Sequence, residues 1–115
     1  MRLRTDFWVG ALCRRVQAAG AFVAVARKGA DEAGAVFIGV DRRNGAHDLY
    51  GPAPQSFFEE GAPADRIFIR YLENVTADKV AERMASEIRF DPDLWLVDIE
   101  DNEGRPFVDI RRTEG

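Results

Sequence analysis

The chain has 115 residues, 46% hydrophobic and 31% charged, with a net charge of −4. That is enough chain for one well-buried core and too little for two, and the balance excludes a disordered polyelectrolyte. A single cysteine, Cys13, excludes an intramolecular disulfide and a multi-cysteine zinc site. Residues 1–58 carry eight Lys/Arg against five Asp/Glu, and residues 59–115 carry eight against fifteen, so the charge is polarised along the chain.

Thr5 is the expected N-cap of a first helix over 6–19, closed by Gly20 at the left-handed position after it. Trp8, Leu12, Val16 and Ala19 give that helix an apolar face, widened by Phe7, Ala11 and Cys13. The short apolar run 7–13 ends at Arg14 and Arg15 with no small-residue cleavage site, so a signal peptide is not expected. No run reaches the ~20 apolar residues of a membrane span, and a cytoplasmic location is the expectation.

A strand follows over 21–27, then a connection over 28–34. The nearly continuous apolar run 35–41, AVFIGVD, reads as a central strand. Asn44-Gly45 predicts a tight hairpin into a return strand over 47–50. Gly51-Pro52-Ala53-Pro54 should end that strand and hold Gln55 and Ser56 stiffly. Phe57 and Phe58 then begin a helical turn, and 59–65 is a loop. Residues 66–72 alternate as a strand, although the run also tolerates helix toward Glu73.

Thr76 caps a second helix over 77–89, whose stripe is Val80, Met84 and Ile88 and whose Arg83 and Glu87 form an i,i+4 pair. Asp91-Pro92 stops it. A closing hairpin is expected: a strand over 94–100 with Trp95, Val97 and Ile99 inward, a reversal at 101–104, and a return strand over 105–110. The sum is one α+β domain over 1–115. It is expected to be a largely antiparallel sheet of about five or six strands with two helices on one face, in the order α-β-β-β-β-α-β-β.

The chemistry-bearing residues are few. Seven carboxylates, Asp91, Asp93, Asp98, Glu100, Asp101, Glu103 and Asp109, crowd the last hairpin. Hard cations take carboxylate oxygens, so a metal-dependent hydrolase or nuclease using Asp91, Asp93, Asp98 and Glu100 is one reading. The alternation along the strand, and the absence of a glycine-centred calcium loop, favour a solvated rim with no metal. His47 is the sole histidine and nothing brings Cys13 near it, so no catalytic set is assigned. No phosphate-cradling glycine motif occurs, no cofactor is expected, and scattered arginines at a pI near 5 disfavour nucleic acid. The expected recognition surface is the stiff aromatic–proline segment, Tyr50, Pro52, Pro54 and Gln55, with Asp93 and Arg105 beside it. It suits a non-enzymatic binding or interaction domain that self-associates or docks on a protein.

Three blocks of the chain, RLRTDFWVGAL, LYGPAPQSF and FDPDLWLVDIED followed by GRPF, resemble the domain of unknown function 1491 family, small proteins found mainly in alphaproteobacteria. The blocks span nearly the whole chain in order. The resemblance implies a stand-alone bacterial cytoplasmic domain and carries over no activity, cofactor or catalytic residue.

Overall fold

The computed structural model describes residues 3–54 and 66–112. Seven elements follow in chain order: α1 (Thr5–Ala18), β1 (Phe22–Arg27), β2 (Val36–Asp41), β3 (His47–Pro52), β4 (Phe68–Val75), α2 (Ala77–Phe90) and β5 (Trp95–Glu100). The five strands form one sheet in the order β1-β5-β2-β3-β4. All neighbours are antiparallel except β2 and β5, which run parallel from Val36 beside Trp95 to Asp41 beside Glu100. A parallel neighbour needs a crossover, and α2 supplies it by carrying the chain from β4 back to the middle of the sheet.

The α+β class and the order of the first seven elements are as expected. Two details of the expected architecture are corrected. The return strand over 105–110 does not form. Both sides of β5 are already taken, by β1 and β2, so no edge is left for a hairpin partner. Pro106 also lacks a donor and Phe107 adopts φ +62°. The segment packs Phe107, Val108 and Ile110 against the core and makes one bridge, Ile110 to Phe68.

The helices also lie on opposite faces of the sheet, not on one. Val9, Leu12 and Val16 of α1 join Val36, Ile38, Val40, Trp95, Val97 and Ile99. Met84 of α2, with Val80 and Ile88, joins Phe37, Leu49, Leu94 and Leu96. Central strands apolar on both faces need cover on both faces.

Local corrections follow the same logic. Arg4, not Thr5, holds the N-cap position of α1 and contributes no side-chain cap. The first helical N–H groups are satisfied instead by carbonyls of the β1–β2 connection: Thr5 N donates to Glu32 O (3.3 Å) and Asp6 N to Asp31 O (3.0 Å). The buried Thr5 hydroxyl donates to Gly34 O at 3.0 Å and accepts from Arg66 at 2.8 Å. This rotates the core face to Thr5, Val9, Leu12 and Val16, leaving Phe7 exposed and Trp8 half-buried against Phe68. Gly20 ends α1 as expected, at φ +85°, with Ala21 N reaching back to Val16 O and Gly20 N to Gln17 O.

Thr76 caps α2 through Lys79 N. Residues 68–75 are strand, and β3 runs on through Pro52, where β2 no longer pairs and a missing N–H costs nothing. In the β2–β3 turn the positive φ falls on Arg43 and Gly45, and the Asn44 side chain instead accepts from Ala46 N (3.0 Å).

One buried carboxylate ties the sheet together at this end. Asp48 is wholly inaccessible, accepting from Arg42 Nε at 2.7 Å and from Asn74 N at 2.9 Å. The second bond satisfies an amide in the stretch where the β3–β4 register slips, with Asn74 at φ +55°. Removing one member of a buried pair leaves the other uncompensated. Asp48→Ala should therefore cost about 3 kcal/mol in urea unfolding; a loss below about 1 kcal/mol would show the pair contributes little.

Candidate functional site

The residues expected to meet a partner are dispersed by the fold. Tyr50 is only 1% exposed; its ring lies beneath Arg70 and its hydroxyl accepts from that guanidinium at 3.3 Å. It is a core residue, which corrects its expected place on a surface. Pro52 is half-buried within β3, its carbonyl accepting from Tyr71 Oη at 2.6 Å. Pro54 is exposed, and Gln55, like the helical turn at Phe57 and the loop 59–65, lies outside the described residues. Asp93 is exposed before β5. Arg105 lies beyond its other end, bound to the buried Asp101 at 2.8 and 3.0 Å and stacked over Phe107.

The acidic stretch does not converge either. Asp91 turns back to accept from Asp93 N (3.1 Å) at the end of α2, whereas Asp98 and Glu100 lie toward the far end of β5. Asp101 is committed to Arg105, whose hydrogen bonds hold its carboxyl below the usual range. Among the described residues no three of His, Cys, Asp or Glu are placed to hold a metal ion. Cys13 packs with the core on the α1 face of the sheet whereas His47, at the start of β3, lines the cleft on the α2 face, and burial pushes the Cys13 thiol up.

What the fold does assemble is a cleft of about 300 Å³ between the first half of α2 and the sheet. Its helix wall is Ala77, Val80, Ala81 and Met84; Gly39 and Leu96 line the sheet side. Alanines facing the sheet leave this space open. The polar lining is Asp41, His47, Asp48, Asp98 and Glu100. Strand register explains the convergence: Asp41 pairs with His47 on one side and Glu100 on the other, and Asp98 pairs with Gly39 one step earlier. In a pleated sheet, positions two apart share a face, so all four side chains belong to the α2 side.

Gly39 is the feature that makes room. A Cβ built there would meet Asp98 Oδ1 at 2.9 Å, closer than side chains approach. A glycine inside a central strand weakens it, and close approach of another group is the usual reason. Around this space, Asp41 accepts from Arg43 N (2.7 Å) and Glu100 pairs with the Arg43 guanidinium at 3.6 Å. Asp98 has no hydrogen bond or ion pair with any described residue. Loss of hydration raises its pKa; His47 pulls it back down, and Asp41 and Glu100 push it further up. Asp98 is exposed at the mouth of the cleft, with Gly39, His47 and Glu100 among its neighbours in the lining.

Sequence reasoning placed Asp98 and Glu100 on one face but missed His47 and Asp41 beside them. The legible signal was Gly39 in the middle of AVFIGVD. The parallel neighbour that brings Asp98 to it is set by tertiary structure alone.

Fold and cleft together define a class: a three-layer α+β domain with a helix on each face of a mixed five-stranded sheet. The chain belongs to the family described as "Protein of unknown function (DUF1491)", whose model matches residues 3–109. It is similar to a protein from A. tumefaciens known by a solution structure, at 44% identity and a TM-score of 0.83, covering 99% of this chain and 98% of that one. It is also similar to a DUF1491 family protein from Caulobacter crescentus. The crystal structure matches at 37% identity and a TM-score of 0.78 over 98% of this chain and 100% of that one. An NMR structure of a DUF1491 family protein from the same organism matches at 36% and 0.78 over 99% of each chain. Comparison with curated proteins finds no match.

The Asp98 environment has a measurable consequence. In the window between the ordinary aspartate pKa and its raised value, the folded state holds a proton that the unfolded chain has released. Stability therefore falls as pH rises through that window and stays lower above it. Asp98→Asn should raise Tm at pH 7 and leave it unchanged at pH 3. A lower Tm at pH 7 would mean that the carboxylate is stabilised by a partner.

Proposed function

We propose that the protein is a small bacterial cytoplasmic binding domain, acting by recognition and not by catalysis, and that the α2 cleft takes a cationic side chain from a protein partner. The carrying observation is Asp98: a carboxylate with no hydrogen bond or ion pair to a described residue, at the mouth of a pre-formed cleft whose helix wall is apolar. Groups arranged against stability are found where function needs them.

The shape supports a lysine or arginine side chain. Ala77, Val80, Ala81 and Met84 cover an aliphatic stem, and Asp98, Asp41 and Glu100 receive the charged head. Guanidinium fits best, because its weaker hydration and planar donors suit carboxylates in a partly dry site. The positive end of α2 tempers repulsion among the carboxylates before a ligand arrives. A bacterial setting is supported by relatives from A. tumefaciens and C. crescentus. No helix among the described residues is long and apolar enough to cross a membrane. Pro54, Asp93 and Arg105 remain on exposed surface outside the cleft, available to the rest of a partner.

Titration with N-acetyl-arginine amide, followed by NMR, tests this. Shifts should concentrate at Gly39, His47, Val80, Ala81 and Asp98, with a Kd on the order of 1 mM or tighter. Asp98→Ala should weaken binding at least tenfold. Equal binding of the neutral analogue N-acetyl-norleucine amide, or shifts confined to other surfaces, would overturn the proposal.

A further inference from the structure

The cleft contains one group able to become a cation. His47 is the sole histidine of the chain, and it lines the cleft with four carboxylates and no lysine or arginine. Its backbone is held on both sides, paired to Asp41 of β2 and to Val75 of β4. From that fixed place its side chain shares the α2 face of the sheet with Asp41, Asp98 and Glu100. The imidazole has no hydrogen bond or ion pair with any described residue.

Each element packed around His47 presents it with a negative group or with none. β2 contributes Asp41 and β5 contributes Asp98 and Glu100, while the α2 wall is apolar and β4 sets Val75 beside it. On its own strand Asp48 is already matched by Arg42 at 2.7 Å. Arg43, on the neighbouring turn, meets Glu100 at 3.6 Å and is not part of the lining. Lost hydration raises the Asp98 pKa and His47 draws it back down, so the two groups sense one another across the cleft.

We propose that His47 gates the cleft by pH: its imidazolium is a tethered competitor for the carboxylates, and its neutral imidazole admits the partner's cation. This rests on the reading of the cleft as a cation site. Two effects act in one direction. A neutral imidazole keeps an acceptor nitrogen that can receive a guanidinium N–H. Protonation turns that acceptor into a donor and adds a positive charge among the carboxylates that the ligand must use. Histidine is the side chain whose ordinary titration falls between about pH 5 and 8. Capture therefore weakens as pH falls through that range and strengthens as it rises. By linkage, a bound cation must in turn make His47 harder to protonate, by the same factor.

NMR titration of the single histidine ring, with and without saturating N-acetyl-arginine amide, tests this, together with the Kd of that compound at about pH 8 and about pH 6. The compound should move the His47 midpoint to lower pH. Wild-type affinity should fall on the order of fivefold from the higher pH to the lower. His47→Gln keeps an acceptor but cannot gain charge; it should match wild type at the higher pH and bind more tightly than wild type at the lower. Protonation of Asp98 is common to both proteins, so the comparison isolates His47. A purely structural role would lower the affinity of His47→Gln equally at both pH values. That result, or binding with an unmoved His47 midpoint, would overturn the gate and leave the cation site standing. No binding of the compound at either pH would overturn both.

Discussion

The architecture rests on one insertion: β5, the last strand made, occupies the slot between β1 and β2. Six register pairs with β2 and five with β1 make it a central strand. Its arrival dictates the rest. The β1–β2 connection must cross the entrance of the slot, and it is fastened there by Ala30 N to Asp93 O (2.9 Å), Trp95 N to Ala35 O (2.8 Å) and Trp95 Nε1 to Ala30 O (2.8 Å). The same connection supplies the carbonyls that receive the start of α1. A central strand also needs cover on both faces, which separates the helices. With both sides of β5 occupied, the chain beyond it can only lie over the α1 side of the core.

The cleft is a product of this insertion. Asp98 comes beside residue 39 because β5 lies parallel to β2, and its carboxylate lies so close because residue 39 is glycine. Two acids on this side of the molecule, one buried and one exposed, then show different solutions. Asp48 is deep, fully paired and structural. Asp98 is exposed and unpaired, and partial loss of hydration raises its pKa. Neutralisation by an incoming cation would relieve Asp98, whereas Asp48 has nothing to gain from a ligand. That contrast separates a site from a brace.

Much of this was legible in the residues, and the misses share a cause. Local chemistry read correctly: Gly20 closes α1, Thr76 caps α2, Arg83 pairs with Glu87 at 2.8 Å, and Trp95, Val97 and Ile99 point inward. Each depends on neighbours within a few positions. Non-local facts did not read. Arg105–Ile110 has the pattern of a strand but found no vacant edge. Thr5 has the chemistry of a cap but was drawn into the helix by carbonyls 27 and 29 positions away. Tyr50 looked like a recognition aromatic because proline follows it, yet the pairing of β3 with β4 buries it. The candidate site needed three strands in register, and only Gly39 announced it.

The central claim is that Asp98 is an unpaired, partly dehydrated carboxyl at the mouth of a cleft that takes a cation. Carbon-detected NMR titration of the aspartate side chains measures this directly, with and without N-acetyl-arginine amide. Asp98 should titrate above the ordinary aspartate range in the free protein and move down when the arginine compound is present. A free-protein value in or below the ordinary range, unmoved by the compound, would contradict the account.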